Sequence, residues 1–174
     1  VIGYLLFRSA QTLNTGTSWA AIPAGLLVGL FVWTLTEYLL HRFVFHYHAK
    51  TPKMERIFFL FHGVPHAQPQ CKTRLVMPPV VSIPLAALFF AFFRLVVGVL
   101  PGAQGWVWPL FAGFLIGYLF YDLIHYATHH LPMRSGWQKY LKRHHMRHHF
   151  KSPNQRFGVS SSFWDGVFRT LPAD

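Results

Sequence analysis

Histidine is the residue type in this chain whose number and spacing indicate chemistry. The chain has 12 histidines among 174 residues, in four clusters. The clusters are EYLLHRFVFHYH with His41, His46 and His48, FHGVPHAQP with His62 and His66, YDLIHYATHH with His125, His129 and His130, and KRHHMRHHF with His144, His145, His148 and His149. Neutral imidazole is the commonest side-chain ligand of transition metals. The clusters therefore predict a metal centre.

Spacing within the last two clusters fits helices that present several imidazoles on one face. His125 and His129 are four residues apart, so they lie one above the other on a helix. His145, His148 and His149 follow the i, i+3, i+4 pattern of one helical face. A stripe of three histidines has little packing purpose, since histidine is neither a strong helix former nor a strong core residue.

The first two clusters fit a straight α-helix poorly. His41 and His46 are five residues apart, and periodicity alone favours His48 as the residue that shares a face with His41. His62 and His66 flank a glycine and a proline, so a regular helix interior is not expected there.

Two acidic residues precede histidines by about one helical turn. Glu37 stands four residues before His41, and Asp122 stands three before His125. A metal-bound histidine usually donates its other ring N–H to a carboxylate or a carbonyl. An acidic side chain near the end of an apolar helix is costly and suggests a function. We therefore expect Glu37 and Asp122 to support ligands.

The ligand count favours two metal ions. A structural zinc takes four ligands and a catalytic zinc three plus water, so up to 12 histidines are too many for one ion. Two irons with open positions can activate O2, whereas zinc has no redox chemistry. Oxidation of an unactivated lipid C–H bond needs such an oxidant.

The elements that must position these histidines are apolar enough for a membrane. Residues 17–40, 75–99 and 106–124 each have roughly the 20 residues that span a bilayer core. The short uncharged link 100–105 makes the last two segments a helical hairpin, over about 75–124. The sequence predicts one domain over 1–174. It starts with Val1, and an apolar start over 1–7 suggests an N-terminal truncation, with a first membrane helix and any targeting signal missing.

Charge gives the chain an expected orientation. Fourteen of the 16 Lys+Arg, and all 12 histidines, lie in 41–74 or 125–174. The positive-inside rule assigns these stretches to the cytoplasm. The formal net charge is +11, and the basic residues flank long apolar segments. Anionic lipid head groups are therefore the expected partner, and not nucleic acid. The single cysteine, Cys71, excludes an internal disulfide and a cysteine-ligated zinc or iron–sulfur site within this chain.

At these motifs the sequence, from about 33 to 171, resembles the fatty acid hydroxylase family of the membrane desaturase and sterol hydroxylase superfamily. The four histidine clusters match its four histidine boxes in order, and RLVMPP and FGVSSSFWDGVFRT match its continuation and ending. The resemblance implies an all-α integral membrane protein, with three to four transmembrane helices and a cytosolic helical cap that holds two metals. It also implies hydroxylation of a lipid acyl chain with O2 and two electrons, typically at carbon 2 of a fatty acid or sphingolipid acyl group.

The resemblance selects nine histidines as ligands. They are His41, His46, His62, His66, His125, His129, His145, His148 and His149. Choosing His46 implies that the helix distorts or ends there. The family's second box usually reads HGxHH, and here Pro65 occupies a ligand position, so one ion has fewer ligands or a substitute. The additional candidates are His48, His130 and His144.

The remaining expectations concern cofactors, partners and competing functions. Two Fe ions are the expected cofactors, with Zn able to occupy the sites in purified protein. The sequence has no G-x-G-x-x-G dinucleotide-binding fingerprint. A separate electron donor, such as cytochrome b5 or a ferredoxin with its reductase, is therefore expected. The expected location of the protein is a bacterial inner membrane or the endoplasmic reticulum. A sterol or carotenoid hydroxylase or desaturase is the alternative, and a non-catalytic membrane metal-binding protein a more remote one. No H-E-x-x-H zinc hydrolase motif occurs, and a bis-histidine haem protein needs isolated histidine pairs.

Overall fold

The computed structural model describes residues 1–14, 16–69, 71 and 75–172, and of Leu60, Phe61 and Pro65 the backbone alone. The described part is helical, without β-strands. The helices are α1 (Ile2–Leu13), α2 (Ala21–Leu39), α3 (Pro52–Phe58), α4 (Val64–Ala67), α5 (Pro79–Gly98), α6 (Val107–His130), α7 (Gly136–Phe150) and α8 (Phe163–Val167). Two π-helical segments, Leu40–Phe45 and Phe59–Gly63, continue α2 and α3. The all-α prediction is confirmed.

Three of these helical stretches are long and apolar enough to cross a membrane, as the sequence predicts. They are Ala21–Phe45, Pro79–Gly98 and Gln104–His130. On α5, large apolar side chains such as Val80 (79% exposed) and Leu95 (69% exposed) face outwards. Such apolar exposure is unfavourable in water and suits lipid.

The chain divides into two compact units, and it passes between them within α2 and within α6. The first unit comprises Val1–Trp33 and Pro78–Leu119, and the second comprises Thr34–Met77 and Phe120–Asp174.

In the first unit, glycines allow α2 and α6 to pack backbone against backbone. A Cβ added at Gly29 would lie 1.9 Å from the Leu110 carbonyl oxygen, and one at Gly113 would lie 2.1 Å from the Leu26 carbonyl oxygen. Gly25-xxx-Gly29 and Gly113-xxx-Gly117 repeat the small-residue spacing that brings membrane helices into close contact. Only glycine fits these positions, so the spacing fixes how the two helices pack.

The second unit contains all the histidines and begins its longest helix with a specific cap. Ser135 accepts a hydrogen bond from the Gln138 backbone N–H at 3.3 Å, and the Gln138 side chain accepts from the Ser135 N–H at 3.2 Å. This capping box satisfies two of the free N–H groups at the start of α7. It sets the register of α7, whose buried face carries four histidines and Leu141.

Candidate metal centre

The π-helical end of α2 places His41 and His46 together. The His46 N–H donates to the His41 carbonyl at 3.2 Å, an i to i+5 bond of the π type. Residues five apart therefore share a face, and the helix ends at His46. The expectation that the helix distorts or ends there is confirmed. The argument from α-helical periodicity for His48 does not hold, because the helix is not α-helical at this point.

A second distorted helix supplies His62 and His66. His62 lies in the π-helical segment after α3, and His66 lies in the short α4 that follows. The segment is thus helical but irregular, consistent with the glycine and proline around these histidines. Their Nε2 atoms are 3.1 Å apart, and the His62 Nε2 lies 2.9 Å from that of His41.

One histidine of α7 completes this first set. The His148 Nε2 lies 3.0 Å from the His46 Nε2. Five histidines therefore converge, with one ligand atom of each within 4.8 Å of every other. We call them the five-histidine group: His41, His46, His62, His66 and His148.

A second set forms between α6 and α7. The His145 Nε2 lies 3.0 Å from the Nε2 atoms of both His129 and His149. The His125 ring centroid lies 4.8 Å from that of His145. We call His125, His129, His145 and His149 the four-histidine group, whose ligand atoms also lie within 4.8 Å of one another.

The two groups are adjacent, because α7 contributes to both. His148 turns into the five-histidine group, while His145 and His149 belong to the other. The His66 and His149 rings, one from each group, stack with centroids 4.1 Å apart. Two ions held by these groups would be neighbours.

The arrangement within each group fits a metal ion better than hydrogen bonding. Two imidazole nitrogens bound to one ion at about 2.1 Å and at right angles are about 3 Å apart, close to the 2.9–3.1 Å seen here. A neutral imidazole has one N–H, so a ring with two Nε2 neighbours cannot satisfy both. Imidazole sets of this kind suit iron, zinc, copper and nickel.

Burial keeps these imidazoles neutral. Removal from water, followed by the neighbouring imidazoles, lowers the pKa of His46 to about 3. Burial also lowers the pKa values of His66 and His148 to about 4. Loss of solvation, followed by neighbouring histidines, lowers the pKa values of His62 and His145 well below 6.5. Near pH 7 each ring therefore retains a lone pair for a metal.

The additional candidates lie outside both groups. His48 is exposed. The His130 ring packs against Tyr126 with centroids 4.8 Å apart. The His144 Nε2 donates to Asp165 Oδ2 at 3.1 Å. The side chain of Pro65 lies outside the described part of the chain.

The two acidic residues expected to support ligands are both buried. Glu37 does not contact His41 through its carboxylate; it accepts hydrogen bonds from the backbone N–H groups of Val159 and Ser160 at 2.7 and 2.8 Å. It also accepts one from the Ser160 hydroxyl. Asp122, 7% exposed, lies one turn before His125.

Sequence reasoning missed the groups that orient His41 and His148. The His41 Nδ1 donates to the Phe157 carbonyl at 2.5 Å, and the His148 Nδ1 donates to the Gln155 carbonyl at 2.6 Å. Sequence does not reveal carbonyl directions. It also missed Asp165, which is fully buried; the signal available was that the chain has only five acidic residues.

Comparisons with known proteins agree on one family. The model of the fatty acid hydroxylase family matches residues 26–170. The ceramide very long chain fatty acid hydroxylase scs7 of Schizosaccharomyces pombe is 40% identical over 159 residues, which cover 90% of this chain and 44% of that protein. The dihydroceramide fatty acyl 2-hydroxylase FAH1 of Arabidopsis thaliana is 37% identical over 163 residues, 94% of this chain and 67% of that protein.

Further comparisons extend the match to a vertebrate protein and to a solved structure. The human fatty acid 2-hydroxylase is 38% identical over 172 residues, 95% of this chain and 44% of that protein. The structure described as full length scs7p, with only the hydroxylase domain visible, has a TM-score of 0.85 and 37% identity. It is matched over 98% of this chain and 63% of that one. The chain thus spans less than half the length of several relatives.

Proposed function

This chain belongs to the fatty acid hydroxylase family, and from that premise we propose that it hydroxylates a lipid acyl chain at carbon 2 in an O2-dependent reaction. The observation that carries the proposal is the pair of adjacent, all-histidine groups in one buried centre. Relatives named ceramide, dihydroceramide and fatty acid 2-hydroxylases support the choice of reaction and of substrate class.

Two irons are the metals that fit this chemistry. The five-histidine group would hold one ion and the four-histidine group the other. When bound, a pair of irons supplies the redox chemistry by which O2 oxidises a C–H bond, which zinc cannot supply. Zinc still competes for imidazole ligands, so purified protein can contain it in these positions.

The chain's own residues prepare the centre in two ways. His41, His145 and His148 are fully buried, and their burial excludes water from the ligand atoms. The carbonyls of Gln155 and Phe157 accept the Nδ1 protons of His148 and His41, which leaves each Nε2 unprotonated and facing its group. Tautomer and ring direction are thereby set before a metal arrives.

An apolar cavity in the first unit has the chemistry that an alkyl chain requires. Its volume is about 630 Å³, and α1, α5 and α6 line it. Phe90, Phe111 and Leu115 are among its walls. Apolar cavities of this size bind lipid-like ligands by burial of their methylene groups. We assign the substrate to the acyl lipids, as a fatty acid or a ceramide.

Electrons come from a separate acidic protein, such as cytochrome b5 or a ferredoxin with its reductase. The concentration of 14 of the 16 Lys+Arg in 41–74 and 125–174 supports this. Exposed cations there include Lys53, Arg134 and Lys139. Opposite charge accelerates association, and salt screens it. An association rate indifferent to ionic strength would contradict this choice of donor.

The same charge distribution supports an orientation. Positively charged stretches flanking membrane helices stay in the cytoplasm, so the histidine centre faces the cytoplasm, at a bacterial inner membrane or the endoplasmic reticulum. Accessibility of Cys71 to a membrane-impermeant thiol reagent, in sealed right-side-out and inverted vesicles of a bacterial inner membrane, tests the orientation. Labelling in right-side-out vesicles alone would reverse it.

The decisive experiment measures metals and lipid products in the same cells. Cells expressing wild type, His145→Ala or His48→Ala are analysed for iron per purified chain and for 2-hydroxy acyl lipids. We expect about two irons and 2-hydroxy products from wild type and from His48→Ala, because His48 is exposed and outside both groups. His145→Ala should lose product and metal. Two metals with hydroxylated sterols or carotenoids instead would refute the acyl substrate.

A further inference from the structure

The loop 155–160, which follows α7 after a short turn, touches the five-histidine group through its backbone. Its Phe157 and Gln155 carbonyls orient His41 and His148. Between them, Arg156 adopts a left-handed conformation with φ 61°. A non-glycine residue in that region is strained and persists only where its surroundings hold it. The direction of two ligand imidazoles therefore depends on what holds this loop.

Asp165, at the start of α8, holds the loop from one side. Its Oδ1 accepts from the Phe157 N–H at 2.7 Å, and its Oδ2 accepts from the Gly158 N–H at 2.8 Å. The same carboxylate accepts from the Thr170 hydroxyl at 2.7 Å and from His144 at 3.1 Å. A buried carboxylate is stable only when its oxygens are satisfied in this way.

Glu37 holds the other half of the loop, through Val159 and Ser160. Two of the five acidic residues of the chain thus accept hydrogen bonds from the N–H groups of four consecutive residues, 157–160. The loop is also tightly packed at Gly158. A Cβ added at Gly158 would lie 2.0 Å from the Ser161 carbonyl oxygen and 2.9 Å from Asp165 Oδ2.

We infer that Asp165 is a positioning residue for the metal bound by the five-histidine group, acting through the Phe157 peptide on His41. This inference rests on the proposed function, since it assumes that the group holds a metal. The Phe157 N–H donates to Asp165 while the carbonyl of the same residue accepts from His41, so a displaced Asp165 moves the acceptor of a ligand imidazole. The two loop carbonyls both serve the five-histidine group. Its metal site should therefore respond to Asp165 and the other should not.

The test is metal binding by the purified full chain in detergent, independent of turnover. Metal-free protein is titrated with Co²⁺, whose visible absorption reports imidazole ligands, and bound ions are counted. His46→Ala and His129→Ala supply reference spectra for loss of one or the other group. Wild type is expected to bind two ions.

In Asp165→Asn one acceptor oxygen becomes an N–H donor facing other donors, so the loop is released. We expect the affinity of the five-histidine site to fall about 10- to 100-fold, the range for altered partners of metal-binding histidines. The four-histidine site should keep its affinity, which also shows that the variant is folded. Thr170→Val removes one of the donors to Asp165, together with a hydroxyl contact to Tyr38, and should weaken the same site less. Glu55→Gln, the same change at an exposed carboxylate, is the matched control and should bind as wild type does.

The outcomes separate the inference from the function it rests on. Wild-type affinity at both sites in Asp165→Asn overturns the inference, and so does an equal loss at both sites, which indicates a general folding defect. If Asp165→Asn cannot be purified, Thr170→Val decides by the same two criteria. Absence of metal binding in wild type would instead refute the proposed function.

Discussion

At the residue scale, each histidine is defined by the direction of its Nε2 and by what accepts its Nδ1 proton. His48 and His46 have the same chemistry and are two residues apart, yet one is exposed and the other has its Nε2 3.0 Å from that of His148. His144 and His145 are adjacent, and they face a carboxylate and the four-histidine group respectively. Residue type supplies the capacity to bind metal, and local backbone direction decides which histidines converge in the two groups.

Position 65 allows a prediction at this scale. The four-histidine group has one imidazole fewer than its neighbour, and the family resemblance implies a histidine where this chain has Pro65. We expect wild type to bind two metal ions. Pro65→His should increase the affinity for the more weakly bound ion about tenfold, because an added ligand increases affinity. Pro65→Ala, which removes the proline without adding an imidazole, is the control. Metal counts from titration check the prediction; one ion in wild type and two in Pro65→His would contradict it.

At the scale of elements, irregular helices are what make the centre possible. The π-helical segment Leu40–Phe45 brings residues five apart onto one face, and Phe59–Gly63 precedes the helix that carries His66. Such segments are rare and occur often at functional sites. Helix α7 is regular and serves both groups, because its i, i+3, i+4 histidines spread over a face wide enough to reach two neighbours.

Close packing of α2 on α6 gives the prediction at this scale. Gly29→Ala and Gly113→Ala each place a methyl group against a backbone carbonyl of the other helix. We expect each to destabilise the fold by about 1–3 kcal/mol, the usual cost of overpacking, seen as a lower thermal unfolding midpoint in detergent. Gly98→Ala, where nothing lies within 4 Å, is the control. Equal midpoints for all three variants would mean that this contact does not support the fold.

At the scale of the whole molecule, the chain concentrates its ionisable chemistry in one of two units. The second unit, Thr34–Met77 with Phe120–Asp174, contains every histidine. Folding removes most histidines of the two groups from water and keeps them neutral. Burial disfavours protonation of these histidines, so the free energy of unfolding depends on pH.

Acid should therefore destabilise the metal-free protein. The folded pKa values of His46, about 3, and of His66 and His148, about 4, lie below the ordinary 6.5. Below pH 6.5 the unfolded chain takes up protons that the folded chain cannot, so stability present above pH 6.5 is lost progressively towards pH 3–4. We expect the unfolding midpoint of metal-free protein to fall between pH 7.5 and pH 5.5. His46→Ala should flatten this dependence and His48→Ala should not; a midpoint independent of pH would contradict the prediction.

Sequence alone determined the helical class and the three apolar spans, because both depend on local composition and on helix length. It also determined which residue type carries the chemistry, since four histidine clusters have no ordinary packing role. The choice of His46 over His48 came from the family resemblance and not from periodicity, because the pattern of apolar residues does not predict a π-helical turn.

Tertiary structure alone decided the division of the histidines into groups of five and four. His148 and His145 lie three residues apart on one helix, and only the positions of the neighbouring helices assign them to different groups. It alone decided that Glu37 supports a loop and not His41 directly. It also gave Asp165 its place, because backbone carbonyls and N–H groups acquire direction only when distant parts of the chain meet.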